Sequence, residues 1–371
     1  MSVRILVGDM RERLRDLPDA SVDSCVTDPP YHLTSIVKRF SAADAAPAKV
    51  GATGAYARAS RGFMGQTWDG GDVAFQPETW AEVLRVLKPG AHVVAFSHAR
   101  TYHRMVCAIE DAGFEVRDQL AWIYGSGFPK SHNLDGEWEG WGSALKPAWE
   151  PICLARKPLV GTIAGNVLAH GTGALNIDGC RTPAPGEEIT NHDHGRESGV
   201  GVVYGAYAGI EPHQKPGQAL GRWPANLIHD GCDEVVAAFP VTSAGGFPAA
   251  RGKGGISTSG CSGQVGLVAR ATDAGSAARF FYSAKAAKED RGDGNTHPTV
   301  KPVDLMRWLC RLVTPPGGTA LDPFAGSGST LVAADMEQFD AIGVELSPDY
   351  AAIAERRVRD RAGLFAEVEA A

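Results

Sequence analysis

Three short apolar-leaning runs in this chain each deliver an acid at their C-terminal end: residues 22–27 lead into Asp28, residues 319–321 into Asp322, and residues 339–344 into Glu345. Helical patterns alternate with runs of this kind along much of the chain. Residues 77–90, 101–112, 303–312 and 348–361 carry apolar residues at helical spacing, and residues 3–7, 91–97 and 114–124 read as further strands, with 150–154 as an antiparallel partner at the sheet edge. This order predicts an α/β fold built on a doubly wound, mostly parallel sheet. In such sheets ligands collect at the C-terminal ends of strands near the topological switch. Three acids at three strand ends therefore predict one shared site, assembled from opposite ends of the sequence.

The first of these acids opens Asp28-Pro29-Pro30-Tyr31. An exocyclic amine on a nucleobase is a poor nucleophile because its lone pair is delocalised into the ring. A carboxylate and a prolyl carbonyl can each accept one of its N–H bonds and draw the nitrogen toward a tetrahedral shape. Two prolines lack an N–H and have fixed φ, so the carbonyl between them has few directions open to it. A tyrosine ring can stack on a base swung out of its duplex. Four residues alone are equally compatible with a strand followed by a Pro-Pro turn.

The second acid begins Asp322-Pro323-Phe324-Ala325-Gly326-Ser327-Gly328, a glycine turn ahead of a helix. The glycines allow backbone to approach a ligand, and helix N–H groups there can face a carboxylate. Glu345, ending the next strand, stands where an acid typically takes ribose hydroxyls. A phosphate-binding loop would need Gly-Lys-Ser/Thr, and no lysine is present; the dinucleotide fingerprint lacks its third glycine. A plain structural turn and an S-adenosylmethionine (AdoMet) pocket remain.

With both motifs in view, the chain resembles the DNA amino-methyltransferases of the N4-cytosine/N6-adenine family in β-type order, where the catalytic motif precedes the target-recognition region and the AdoMet motif comes last. The segment His297-Pro298-Thr299-Val300-Lys301-Pro302 resembles the family motif bordering the methionine end of AdoMet. Val7-Gly8-Asp9, residues 17–23 and residues 63–69 also match, so the likeness covers residues 3–156 and 279–360. The resemblance implies an AdoMet-dependent methyltransferase fold with permuted motif order. Residues 1–156 would form its catalytic half, 157–278 an inserted target-recognition region and 279–371 its AdoMet-binding half. It implies site-specific methylation of a flipped base with Asp28, Pro29, Pro30 and Tyr31 as catalytic residues. Asp9, Thr299, Lys301, Asp322, Phe324, Gly326, Gly328 and Glu345 would hold AdoMet, although Asp9 suits a turn or helix cap nearly as well. Aspartate at position 28 is more usual in the adenine enzymes of this family and serine in the cytosine-N4 enzymes, which favours adenine N6. Cytosine N4 and a non-catalytic AdoMet- and DNA-binding relic are the alternatives. Enzymes acting on RNA or on protein glutamine usually place their Pro-Pro-Tyr motif after the AdoMet motif, and the order here opposes them.

Charge is where composition matters. The chain of 371 residues has a formal net charge of −7, so a bulk electrostatic grip on nucleic acid is excluded and any contact with double-stranded DNA must be local. Residues 34–66 supply such a locality, with five basic residues (Lys38, Arg39, Lys49, Arg58, Arg61) against one acid, Asp44. Beside a base-flipping site this segment reads as a clamp on the DNA backbone, with Lys38, Arg39, Arg58 and Arg61 as contacts; otherwise it is a solvated loop. In the insert, Arg196, Arg222, Asn226, Arg251 and Arg270 are candidate base readers, each with a structural alternative. Seven scattered cysteines without Cys-x-x-Cys predict reduced thiols. His192 and His194 with Cys180 match no metal-ligand spacing, and no metal is expected. There is no signal peptide or long apolar stretch, so a cytoplasmic protein is expected. A homodimer is compatible with the family, and a partner restriction endonuclease is left open.

Overall fold

The computed structural model describes residues 1–31, 72–128, 131–184, 221–244, 273–285, 287–362 and 367–370. Its centre is a ten-stranded sheet. In chain order the strands are β1 (Ser2–Val7), β2 (Val22–Thr27), β3 (Leu87–Phe96), β4 (Glu115–Ile123), β5 (Trp149–Arg156), β6 (Leu227–His229), β9 (Tyr282–Ser283), β10 (Thr319–Asp322), β11 (Asp340–Glu345) and β12 (Glu367–Ala370), with β7 (Val241–Ala244) and β8 (Asp273–Ser276) forming a separate antiparallel pair. In space the order is β12-β1-β11-β10-β2-β3-β5-β4-β6-β9. Only β5 runs against its neighbours.

Alternation along the strands sorts the core into two layers, as expected for strands covered on both faces. Val3, Ile5, Val26, Val94, Phe96 and Ala320 face the helices Val303–Val313, Ser329–Met336 and Pro348–Ala362. Leu6, Cys25, Val93, Ala95, Leu321 and Ile342 face the opposite way, toward the helices Pro77–Val86 and Tyr102–Asp111. Trp80 and Trp308, both fully buried, anchor one layer each.

From β10 the chain winds through the helix Ser329–Met336 to β11 on one side, while from β2 it winds to β3 on the other. The topological switch thus lies between β10 and β2, which pair in parallel with Ala320 beside Ser24 and Leu321 beside Cys25. Asp28 and Asp322 therefore emerge from adjacent strands at the same edge of the sheet.

Several local features depart from the sequence reading. The helix beginning at Pro77 stops at Val86 rather than Gly90, and Lys88-Pro89-Gly90 belongs to β3. Proline disfavours helical φ/ψ in the residue before it, which pulls Lys88 into extended backbone. The strand expected over 279–283 shrinks to Tyr282–Ser283, because Arg279 and Phe280 end a helical turn, Ala277–Phe280, begun by the Ser276 hydroxyl accepting the Ala278 N–H. The helix Ile163–His170 escaped the sequence reading, though its Thr162 cap on Gly165 N and the left-handed Gly171 after its end are ordinary helix-boundary signals. Near the C-terminus, residues expected to fray form β12, parallel to β1. Within the described part of 157–278, β6 joins the main sheet by pairing with β4, while β7 and β8 stand apart from it. The buried Asn166 side chain ties that region to β3 by donating to the Pro89 carbonyl, and it also donates to the nearby Thr172 carbonyl. Among the described residues, no helix is long and apolar enough to cross a membrane.

Candidate active site

β2 ends by turning Asp28 and Tyr31 toward β3 and β5, and the four side chains Asp28, Tyr31, Glu150 and Lys301 close into one cluster. The Tyr31 hydroxyl donates to Asp28 Oδ1 at 2.6 Å, with Glu150 Oε2 a second acceptor at 3.3 Å. The Lys301 ammonium sits 2.9 Å from Asp28 Oδ2, 2.9 Å from Glu150 Oε2 and 2.9 Å from the Tyr31 oxygen. An ammonium has three N–H donors, and this one meets three acceptors. Two aromatic rings flank it, Phe96 with its centroid 4.8 Å away and Tyr31 at 5.5 Å. Burial disfavours the ammonium, but the carboxylates of Asp28 and Glu150 outweigh burial and hold Lys301 above the ordinary lysine value. The Tyr31 phenol is pushed well above its ordinary value by burial first, then by the negative charges of Asp28 and Glu150.

The neighbouring strand end is fixed by a second set of bonds. Asp322 is buried and accepts from the Thr27 hydroxyl at 2.6 Å and from Phe324 N at 3.1 Å. Burial raises its carboxyl to about 6 against the pull of those donors. The Thr27–Asp322 bond locks the tip of β2 to the tip of β10 beside Asp28. Beyond Asp322 the chain turns through Gly326 (φ +54°) and Gly328 (φ +80°), conformations that favour glycine. Glu345 holds this turn from β11: its Oε2 accepts Gly326 N at 2.8 Å and its Oε1 accepts Ser347 N at 2.9 Å. Burial raises the Glu345 carboxyl, and these two N–H groups offset part of the rise. Arg357, also buried, donates to the Ser327 carbonyl and to the Asp290 carbonyl, clamping the turn from below.

Residues 297–302 bridge the two halves. His297 packs edge-on against Tyr350 and lies over the glycine turn, where a Cβ at Gly326 would come 3.1 Å from its Nε2. Four residues later Lys301 reaches the Asp28 cluster. One short segment thus touches both the turn after β10 and the acid after β2.

Asp28, Pro29, Pro30, Tyr31, Asp322, Phe324, Gly326, Gly328 and Glu345 lie on neighbouring strand ends at one edge of the sheet. Lys301, expected beside a cofactor, places its ammonium on Asp28 and Glu150. Thr299 is exposed, with its carbonyl oxygen against His297 Nδ1. Asp9 caps the short helix Met10–Arg13 through Arg11 N at 2.9 Å and pairs with the Arg11 guanidinium at 2.8 Å, which lowers its carboxyl below the ordinary value. Gly328 is required by its φ and by packing: a Cβ there would meet Ala354 Cβ at 2.8 Å. Lys38, Arg39, Arg58 and Arg61 lie outside the described residues, as do Arg196, Arg251, Arg270, His192 and His194. Arg222 stacks on Phe280 and donates to the Arg279 carbonyl, and Asn226 donates to Asp118. Glu150, Phe96 and His297 were not singled out individually. The signal for Glu150 was available: an antiparallel strand begins at the edge where parallel strands end.

A family model described as DNA methylase, of the N6/N4 methyltransferases, matches residues 22–356. M.HindIII, a type II methyltransferase of Haemophilus influenzae, is 33% identical over 115 residues, covering 27% of this chain and 37% of that protein. M.Cfr9I, a type II methyltransferase of Citrobacter freundii, is 31% identical over 98 residues, covering 22% of this chain and 33% of that protein. The chain thus spans about a third of the length of these curated relatives. Among solved structures, PvuII DNA methyltransferase, described as cytosine-N4-specific, aligns at a TM-score of 0.47 with 15% identity, covering 97% of this chain and 87% of that one.

Proposed function

Since the chain belongs to the N6/N4 DNA methylase family, we propose that it methylates the exocyclic amine of a base flipped out of double-stranded DNA, with adenine N6 as the target. AdoMet is the methyl donor of this family, and the residues present suit it. Glu345 is a strand-end carboxylate with one N–H on each oxygen, which leaves lone pairs for a ribose diol. The turn at residues 324–328 and the His297 ring border the same space, where the methionine and sugar would lie. Asp322, satisfied by Thr27 and Phe324 N, acts by shaping that turn. Bound AdoMet supplies an electrophilic methyl group.

The rest of the chemistry falls to the chain. Tyr31 receives the flipped base by stacking, a contact worth about 1–3 kcal/mol against an unstacking cost of a few kcal/mol. Asp28 and the Pro29 carbonyl each accept one amine N–H, which orients the nitrogen lone pair. As positive charge grows on that nitrogen, the Asp28 carboxylate stabilises it. Positioning supplies much of the remaining rate, because methyl transfer requires collinear atoms in contact. The observation that carries this reading is the junction of residues 297–302, where one segment contacts both the glycine turn and the Asp28 carboxylate. Asp28 supports adenine over cytosine through the family resemblance.

The test is expression in a host without DNA methylation, followed by sequencing that detects modified bases. N6-methyladenine in one short sequence context is the expected result. N4-methylcytosine would redirect the base assignment, and unmodified DNA would overturn the reading. Lys38, Arg39, Arg58 and Arg61 are proposed to grip DNA phosphates. Replacing all four by Ala should weaken DNA binding and flatten the dependence of log K on log salt by about 0.9 per lost phosphate contact. An unchanged slope in a filter-binding or fluorescence titration would remove them from the interface.

A further inference from the structure

The Asp28–Tyr31–Lys301–Glu150 cluster contains an acid that the methyl-transfer reading leaves without a task. Asp28 Oδ1 is engaged by the Tyr31 hydroxyl and Oδ2 by Lys301. If Lys301 paired with Asp28 alone, the ammonium would neutralise the carboxylate that must stabilise positive charge on the amine. Glu150 shares the same ammonium at the same 2.9 Å distance. Two carboxylates and one ammonium leave the cluster a net charge of −1. The Tyr31 hydroxyl has one hydrogen and two carboxylate acceptors in reach, Asp28 at 2.6 Å and Glu150 at 3.3 Å. When an amine N–H claims Asp28 Oδ1, the hydroxyl has a second acceptor already beside it.

We propose that Glu150 is a positioning residue for methyl transfer: it shares Lys301 with Asp28, keeping Asp28 an effective negative acceptor, and takes the Tyr31 hydroxyl when the base engages Asp28. This rests on the functional reading above. No covalent step is assigned to Glu150. The other titratable groups near the cluster are Tyr124, which is raised to about 12 by burial and by Glu150; His297, lowered by burial; Asp322, on which the Asp28 charge also acts; and His98, its ring 6.2 Å from that of Tyr31. All are common to every variant below, so differences between variants report the charges of Glu150 and Lys301.

The experiment compares wild type, Glu150→Gln, Glu150→Asp, Lys301→Met and the Glu150→Gln/Lys301→Met pair in the full chain. In Glu150→Gln, kcat for DNA methylation should fall by about 10–100-fold, the loss expected for one charge-assisted interaction made in the transition state. KM for DNA and AdoMet should hold. The acid limb of the kcat–pH profile should move to lower pH, because the cluster around the ammonium loses one negative charge. Lys301→Met should move that limb to higher pH, and the double variant, with the same net charge as wild type, should bring it back. Glu150→Asp, which keeps the charge, should stay close to wild type in its pH profile. A second readout needs neither DNA nor cofactor: NMR of 13Cζ-labelled tyrosine, with Tyr31 assigned by Tyr31→Phe, should show Tyr31 ionising at lower pH in Glu150→Gln than in wild type. An acid limb and a Tyr31 titration both unmoved by Glu150→Gln would overturn the proposal. So would a lowered kcat with no movement of the limb, which is the mark of a merely structural residue. A wild-type protein that methylates no DNA while Tyr31 still shifts would overturn the functional reading and support the charge coupling.

Discussion

Asp28→Ala should lower kcat for DNA methylation by about 10³-fold, the upper range for removing one preorganised group that meets the transition state. On the proposed mechanism the variant would lose the acceptor for the amine N–H and the counter-charge for the developing cation at once. The Lys301 ammonium turns from stabiliser to liability, since it now faces the amine with Glu150 as its remaining carboxylate. The fold should survive, because Lys301 retains Glu150 and the Tyr31 oxygen and because the tip of β2 is held independently by the Thr27–Asp322 bond. A far-UV circular dichroism spectrum matching wild type, together with single-turnover rates on DNA of known sequence, checks this. Asp28→Asn keeps an oxygen acceptor without the charge and should lose less, about 10–100-fold by the loss of one charge-assisted hydrogen bond. Full activity in Asp28→Ala would remove this residue from the chemistry.

Gly328→Ala should destabilise the protein by about 2–4 kcal/mol, combining left-handed backbone strain with overpacking. The residue sits at φ +80°, and the added Cβ would lie 2.8 Å from Ala354 Cβ and 3.1 Å from Ala354 Cα. Neither neighbour is the flexible end of a long side chain. Relief would require the helix Pro348–Ala362 to move off the turn, which would also pull Arg357 from the Ser327 carbonyl. The urea midpoint should fall clearly, and AdoMet binding measured by calorimetry should weaken with it. Gly326→Ala is the informative companion: its nearest obstruction is the His297 ring at 3.1 Å, so its effect should fall more on the ligand than on the midpoint. Equal midpoints for Gly328→Ala and wild type would show that the helix yields freely.

The acids at strand ends were legible in the sequence because a parallel sheet presents its strand termini at one edge, and Asp28, Asp322 and Glu345 each followed an apolar run. The burial of both sheet faces was legible in the near-continuous apolar run at residues 91–97, which fits a strand covered on both sides. Lys301 was found by its motif, but its partners were not: nothing local tells a lysine whether it faces a cofactor or a carboxylate that precedes it by most of the chain. Glu150 was legible only as the start of a strand at the sheet edge; in the structure that strand, β5, lies inside the sheet between β3 and β4, and its reversed direction puts its first residues beside the C-terminal ends of the parallel strands. Gly326 and Gly328 read as room for a ligand. In the structure the close contacts of their absent side chains are His297 and Ala354, so neighbouring chain explains the need for glycine at both. Asp9 shows the converse, where a local hydrogen bond to Arg11 N accounts for a residue that the motif assigned to the cofactor.

Of the two sheet neighbours of the strand carrying Asp28, β3 follows it closely in the chain, while β10 closes on it by a contact that spans 295 residues. On a ribosome adding about 5–20 residues per second, roughly 15–60 s separate the emergence of β2 and β10. Throughout that interval β2 has an open hydrogen-bonding edge, the kind of surface that invites pairing with another nascent chain. A holding chaperone that covers this edge would therefore protect the chain until β10 emerges.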